Sequence, residues 1–333
     1  MSNTRAKPVT SLERLPRVGV RHTWADYVEL LCLFNLDREI SKDVLIDRFR
    51  EGKDTGETID DETEDDTGAA EDEETAASEE NLPIDERLST RAEDLFRHLK
   101  YRESAFGKSY PFAVDMAHRR MVLRRTTGVS RLYLFLLIAS NLRYFTTLTP
   151  QITKDFESLS KLALQKLLPA SGLVHLFHGA GQSGRYKGKL FDKLSALASD
   201  LFESMTVRAD DFDEHDVGDG GLDLVAWVPM NDGSPGVLLC FAQCACTDKW
   251  VKKQRETMAV KEVMTLKAHP VYLTFIPFCF RRPTGSWFYA HSVATVLLDR
   301  LRLIDLLVGL RKYKEFDSFK RIDSLIKGVE PLI

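Results

Sequence analysis

The stretch GDGGLDLVAW, residues 218–227, runs from a glycine-rich turn straight into an apolar segment. Gly218, Gly220 and Gly221 suit the positive backbone angles of a tight turn, and LDLVAWV (222–228) has the length and apolar run of a buried strand. A second such segment, GVLLCFAQCA (236–245), follows PMNDGSPG, whose Asn-Asp-Gly and Pro-Gly steps are turn signals. The two are expected to pair as a hairpin. Asp223 then stands at the head of the first strand, its carboxylate at the sheet edge, and Gln243 lies beside it in the second.

Outward from this hairpin the pattern alternates. KLFDKLSALASDLFESM (189–205) puts Leu190, Leu194, Leu197 and Leu201 on one helical stripe, and places Asp192 and Glu203, about three turns apart, on a shared face. LVHLFHG (173–179) is a candidate short strand. DKWVKKQRETMAVKEVMTL (248–266) reads as a second helix, HPVYLTFIPFCF (269–280) as a third strand, and VATVLLDRLRLIDLLVGLRKY (293–313) as a C-terminal helix covering one face. The predicted class is α/β, with an αββαβ core in residues 171–333. Residues 1–170 read as a mainly helical N-terminal domain: helical spacing in 24–49, with Ser41 as an N-cap, then helices in 88–106, 130–145 and from Thr149 or Pro150 to 168. YPFAVD and RRMVLRR supply two short strands.

Acidic oxygens from a helix (Asp192) and a strand (Asp223), beside the amide oxygen of Gln243, suit a hard cation such as Mg²⁺, which is commonly held by one or two carboxylates plus water and phosphate. The order of elements, the GDGGLD turn and the Q-x-A strand resemble the PD-(D/E)xK restriction-endonuclease-like nucleases, and among them the Mrr-like branch. That branch has an acid on the first helix, then G-D-x-G-x-D, then Q-x-K. The resemblance covers roughly residues 175–280. It implies a restriction-endonuclease-like core that hydrolyses DNA phosphodiesters with Mg²⁺ or Mn²⁺, in prokaryotic restriction or anti-phage defence. By position, Asp223 resembles the metal-binding aspartate, Gln243 the Glu/Gln of the metal site and Asp192 the first-helix acid. Asp219 is a supporting acid that orients the turn, and Glu203 is placed in support on the helix.

The departure is Ala245, at the position where the family carries a lysine that orients water and offsets phosphate charge. Three readings stand. The cation has moved to the following helix, where Lys249, Lys252 and Lys253 have i, i+3, i+4 spacing, with Lys253 and Lys249 as the catalytic candidates; or the domain binds without cutting; or alanine replaces the lysine as an inactivating change. The rival class is therefore a non-catalytic module that binds nucleic acid or assembles with a protein. A third reading, a helical regulator with a purely structural C-terminal fold, sits poorly with the polar turn at 218–221.

HGAGQSGRYKGK resembles a phosphate-binding P-loop in its Gly179 to Gly184 spacing, but Arg185 and Tyr186 replace the lysine and Ser/Thr. A basic loop is the better reading, with Arg185, Lys187 and Lys189, together with Lys252, as candidate phosphate contacts. Cys240, Cys244 and Cys246 share one strand parity, opposite Gln243, and read as core thiols and not as zinc ligands. DFDEHDVGDGG fails as a calcium loop because His215 takes a ligand position and the terminal glutamate is missing. The histidines form no H-E-x-x-H pair, so a histidine-based metal site is not expected.

The chain of 333 residues is long enough for two domains. Its 44% hydrophobic and 29% charged residues exclude collagen-like, wholly disordered and membrane-embedded classes. The net charge of −4 conceals an acidic block: residues 51–81 hold fifteen Asp and Glu against Lys53 alone, which leaves the remainder basic by about ten charges. That block is expected to be a disordered insertion, either a solvated spacer or an acidic mimic that shields the basic surface. A basic body agrees with DNA, double- or single-stranded, as partner. A protein partner for the N-terminal domain and a homo-oligomer stay open. Five cysteines and an N-terminus without a signal-like apolar run suggest a reduced, cytoplasmic setting, and YLFLLIASNL (133–142) is too short to span a bilayer.

Overall fold

The computed structural model describes residues 12, 15–16, 21–54, 83–126, 128–177, 184–212, 218–310 and 316–328. The acidic segment from residue 55 onward, residues 178–183 of the P-loop-like stretch and residues 213–217 lie outside them. The fold is mixed α/β. In chain order its elements are α1 (Arg21–Phe34), β1 (Glu39–Ser41), α2 (Lys42–Asp54), α3 (Ile84–Phe106), β2 (Phe112–Asp115), β3 (Arg120–Leu123), α4 (Gly128–Ala139) and α5 (Thr149–Leu167). There follow β4 (Leu173–Leu176), α6 (Leu190–Asp200), β5 (Leu224–Val228), β6 (Leu238–Cys244), α7 (Trp250–Glu256), α8 (Val260–Val263), β7 (Val271–Phe275), β8 (Val296–Leu298), α9 (Arg300–Leu307) and α10 (Asp317–Gly328). Two compact units divide the chain: 1–152 with 278–292 and 314–333, and 153–277 with 293–313. The first boundary falls in the first turn of α5, and the chain passes between the units several times.

The first unit is helical around the antiparallel sheet β1-β3-β2. Ser41 precedes α2 and its hydroxyl accepts the Val44 N–H at 3.4 Å, the N-cap that its position predicts. Asp115 accepts the Ala117 and His118 N–H groups at 2.9 and 3.1 Å and so closes the β2–β3 turn. Helix α4 is apolar on nearly every side and buried from Leu132 to Ala139. At the centre lies an ionic network without solvent contact. Arg102 Nη1 donates to Asp26 at 2.6 Å and Glu29 at 2.9 Å, and Nη2 to the His22 carbonyl at 2.9 Å. The Tyr110 and Tyr133 hydroxyls donate to Glu29, each at 2.9 Å, and Ser140 to Asp26 at 2.7 Å. Burial alone would lower the Arg102 pKa, but the charges of Glu29 and Asp26 hold it above its usual value. The network is hydrogen-bonded to each of its charges, which is the condition under which buried ions are tolerated.

The second unit carries a five-stranded sheet in the order β4-β5-β6-β7-β8. β4, β5 and β6 are antiparallel and β6, β7 and β8 parallel, because a short turn joins β5 to β6 whereas α7 and α8 cross over between β6 and β7. The stripe Leu190, Leu194, Leu197 and Leu201 packs with Val225, Trp227, Leu239 and Phe241 in one core cluster. That places α6 over the odd-numbered face of β5 and β6.

Three sequence expectations change here. Residues 293–313 are not one helix: the apolar run Val296–Leu298 adds a parallel edge strand, and Asp299 then caps α9 by accepting the Arg302 N–H at 3.2 Å. Helix α6 ends at Asp200 because Phe202 adopts φ 55°. Glu203 therefore leaves the helix, shares no face with Asp192, and instead accepts the Lys267 N–H at 2.8 Å. The helix expected in 248–266 breaks at a 3₁₀ turn, Thr257–Ala259, and starts only at Trp250, so Lys249 is its cap residue and lies outside its first turn.

Candidate functional site

The glycine turn is built by its own acid. Asp219 Oδ1 accepts the Gly221 N–H at 2.8 Å, and the Asp219 carbonyl accepts the Leu222 N–H at 3.2 Å. Gly220 and Gly221 have φ 62° and 79°, angles that side chains on L residues disfavour. Packing closes the turn further: a Cβ on Gly221 would lie 2.5 Å from Glu256 Cβ, and one on Gly220 3.2 Å from a methyl of Leu190. The start of α6 and the end of α7 therefore both abut the turn that delivers Asp223.

Asp223 is 5% exposed and Gln243 3%. The Asp223 N–H donates at 3.0 Å to the carbonyl of Ala242, the residue paired with Leu224, which ties the chain at Asp223 to the end of β6. The Asp223 carboxylate accepts the Cys244 N–H at 2.6 Å. It thus caps the end of β6 besides offering charge. Gln243 Oε1 is buried and has no hydrogen-bond partner among the described residues, an unusual state for an interior carbonyl. By the two-residue alternation of strands, Gln243 lies on the same face of β6 as Leu239 and Phe241. Across β7 the polar row continues. Thr274, in register with Gln243, bonds Thr295 at 2.8 Å, and Gln254 Oε1 accepts from Thr295 at 3.1 Å and from the Ala294 N–H at 2.9 Å.

The opposite parity holds the thiols. Burial first, and the Asp223 charge second, push the Cys244 thiol up; burial, Glu157 and Asp223 do the same for Cys246. Cys240 is pushed up to about 11 by burial. Among the described residues no group of three or more His, Cys, Asp or Glu side chains could hold a metal ion.

Asp192 is exposed and accepts the Lys189 N–H at 3.2 Å, capping its own helix. Arg185 is committed to Asp200 through Nε at 2.6 Å and through Nη2, and the Tyr186 hydroxyl joins the same carboxylate at 2.9 Å. Lys187, Lys189, Lys249 and Lys252 are exposed, and Lys253 is half-buried. Ala245 is buried, its N–H donating to the Phe275 carbonyl at 2.9 Å. Two residues that sequence reasoning passed over stand out. Lys193 is buried on the leucine stripe of α6 and donates to the Gly218 carbonyl at 3.0 Å; a cation three residues after Leu190 and four before Leu197 was its visible signal. Glu157, on α5, acts electrostatically on the same two thiols as Asp223, and no local pattern connects residues so far apart in sequence.

Asp223 and Gln243 offer only oxygen to a ligand. That is a sparse set that fits Mg²⁺ or Mn²⁺, since such ions keep several waters, and the unpartnered Gln243 Oε1 is the observation that favours a bound cation. Comparison with known proteins finds no matching family model, no matching curated protein and no matching solved structure. No described helix is long and apolar enough to cross a membrane.

Proposed function

We propose that this chain is a divalent-cation-dependent nuclease of the PD-(D/E)xK restriction-endonuclease-like type, acting on DNA. One observation carries the reading: the buried Asp223 carboxylate is bonded to the N–H of Cys244, the residue after Gln243, whose buried amide oxygen has no partner among the described residues. The order α6, β5, β6, α7, β7 and the antiparallel-then-parallel pairing support the same core. Asp223 and Gln243 would hold the cation, which when bound polarises a phosphoryl oxygen and lowers the pKa of water. The chain's own part is to keep Asp223 fixed through the Cys244 N–H and to anchor the DNA backbone. Exposed Lys187 and Lys189 lie just before Leu190, which touches Gly220, and exposed Lys252 and Arg255 lie just before or beside Glu256, which touches Gly221. Two cationic segments thus border the turn.

A second reading, a nuclease fold that binds DNA or a protein without cutting, is favoured by Ala245. The discriminating experiment is cleavage of plasmid and single-stranded DNA with Mg²⁺, Mn²⁺ or EDTA by the unaltered chain, Asp223→Asn and Ala245→Lys. Metal-dependent cutting lost in Asp223→Asn is the expected result. Cutting only by Ala245→Lys supports the binding module. DNA binding without cutting by any form refutes the enzyme.

A further inference from the structure

We infer that Lys193 is a positioning residue for the Asp223 site: a buried cation that holds the entry of the glycine turn against helix α6. Its functional consequence rests on the nuclease reading, while the structural claim stands apart from it. Lys193 is 1% exposed and occupies the apolar stripe between Leu190 and Leu197, a place where methionine or leucine would fill the same volume. An ammonium group there loses hydration that only good partners offset. Among its partners is the carbonyl of Gly218, the first residue of GDGGLD, at 3.0 Å.

The contact comes from the same helical turn that sets Leu190 against Gly220. Helix α6 thus grips the turn twice, by packing at Gly220 and by charge at Gly218. Asp219 then closes the turn and Asp223 follows at once. Lys187, Lys189, Lys249 and Lys252, in the segments on either side, are exposed. Position 245 brings no positive charge; Lys193 brings one from α6.

Two readouts on the full-length protein test this. The first is hydrogen exchange of peptides covering 218–223, 224–228 and 190–200 in the unaltered chain, Lys193→Met and Lys193→Arg. The second is Mn²⁺ affinity by titration calorimetry beside Asp223→Asn. Lys193→Met is expected to keep a cooperative thermal transition, to speed exchange in 218–223 at least tenfold with 224–228 little changed, and to weaken Mn²⁺ about tenfold. Lys193→Arg, which keeps charge and donor, should recover at least half of each change. Unchanged exchange in 218–223, or equal acceleration in every peptide, overturns the positioning role. If Lys193→Met does not fold, Lys193→Gln, which removes the charge but keeps a polar side chain, decides in its place: faster exchange confined to 218–223 supports the role and none overturns it. Absence of Mn²⁺ binding in the unaltered chain and Asp223→Asn alike would refute the proposed function and leave the exchange result to judge Lys193.

Discussion

Substitution of Asp223 should separate its structural work from its chemistry. The carboxylate of buried Asp223 accepts the N–H of partly buried Cys244 at 2.6 Å. Asp223→Ala removes the acceptor and strands that N–H. A buried backbone donor without a partner costs about 1–3 kcal/mol, and a lost hydrogen bond to a charged group falls in the range of about 1.5–3 kcal/mol. These are two views of one loss and are not added, so a destabilisation of about 2 kcal/mol is expected. Asp223→Asn keeps an oxygen of the same reach, exchanging a charge-assisted bond for a neutral one of roughly half the strength, and should cost no more than about 1 kcal/mol. Equilibrium unfolding in urea with both variants measures this from the midpoints, provided the m-values agree. DNA cleavage should be lost in both. The same change has a chemical reporter: Asp223 raises the Cys244 and Cys246 thiol pKa values behind the larger effect of burial, so Asp223→Asn should bring both down and quicken their alkylation at pH 8. Equal stability loss in the two variants, or an Ala variant within about 0.5 kcal/mol of the unaltered chain, would refute the capping role.

Two further perturbations probe the fold. Arg102→Met leaves Asp26 and Glu29 buried without their cation and should cost about 3–5 kcal/mol, read as earlier urea unfolding; a loss below about 1 kcal/mol would mean that the network relaxes around the gap. For Asp200, burial would raise the carboxyl, but the hydrogen bonds from Arg185 and Tyr186 outweigh it and hold the group below its ordinary value. A carboxyl depressed in the folded state stabilises above the unfolded pKa of about 3.9, and that stability is lost as pH falls through the folded value. The unfolding midpoint should therefore drop on acidification below about pH 4, and Asp200→Asn should flatten this part of the profile; a parallel profile for the variant would exclude the pair as its source.

Much of the core was legible because it was written in short-range pattern. The leucine stripe of α6, the apolar runs of β5 and β6 and the Gly-rich turn before Asp223 each declare themselves within a dozen residues, and the antiparallel pairing of β5 with β6 follows from the turn residues between them. The helix ends were less legible. The left-handed residue that stops α6 is Phe202 and not a glycine, so Glu203 read as helical, and the run Val296–Leu298 is apolar enough for helix or strand until β7 offers it an edge to pair with.

What sequence by itself determined is the alternation of elements, the basic body with its acidic block, and the turn that carries the acid, since these depend on neighbours along the chain. What only tertiary structure decided is which charges are exposed and which are held. Arg185 turns to Asp200, Asp192 caps its own helix, Lys193 points inward to Gly218, and Gln243 is left with an oxygen that no described group satisfies. The reason is physical: the state of a polar side chain depends on what lies across the packing interface and how much water remains there, and those neighbours are brought together by the fold from positions with no local relation in sequence.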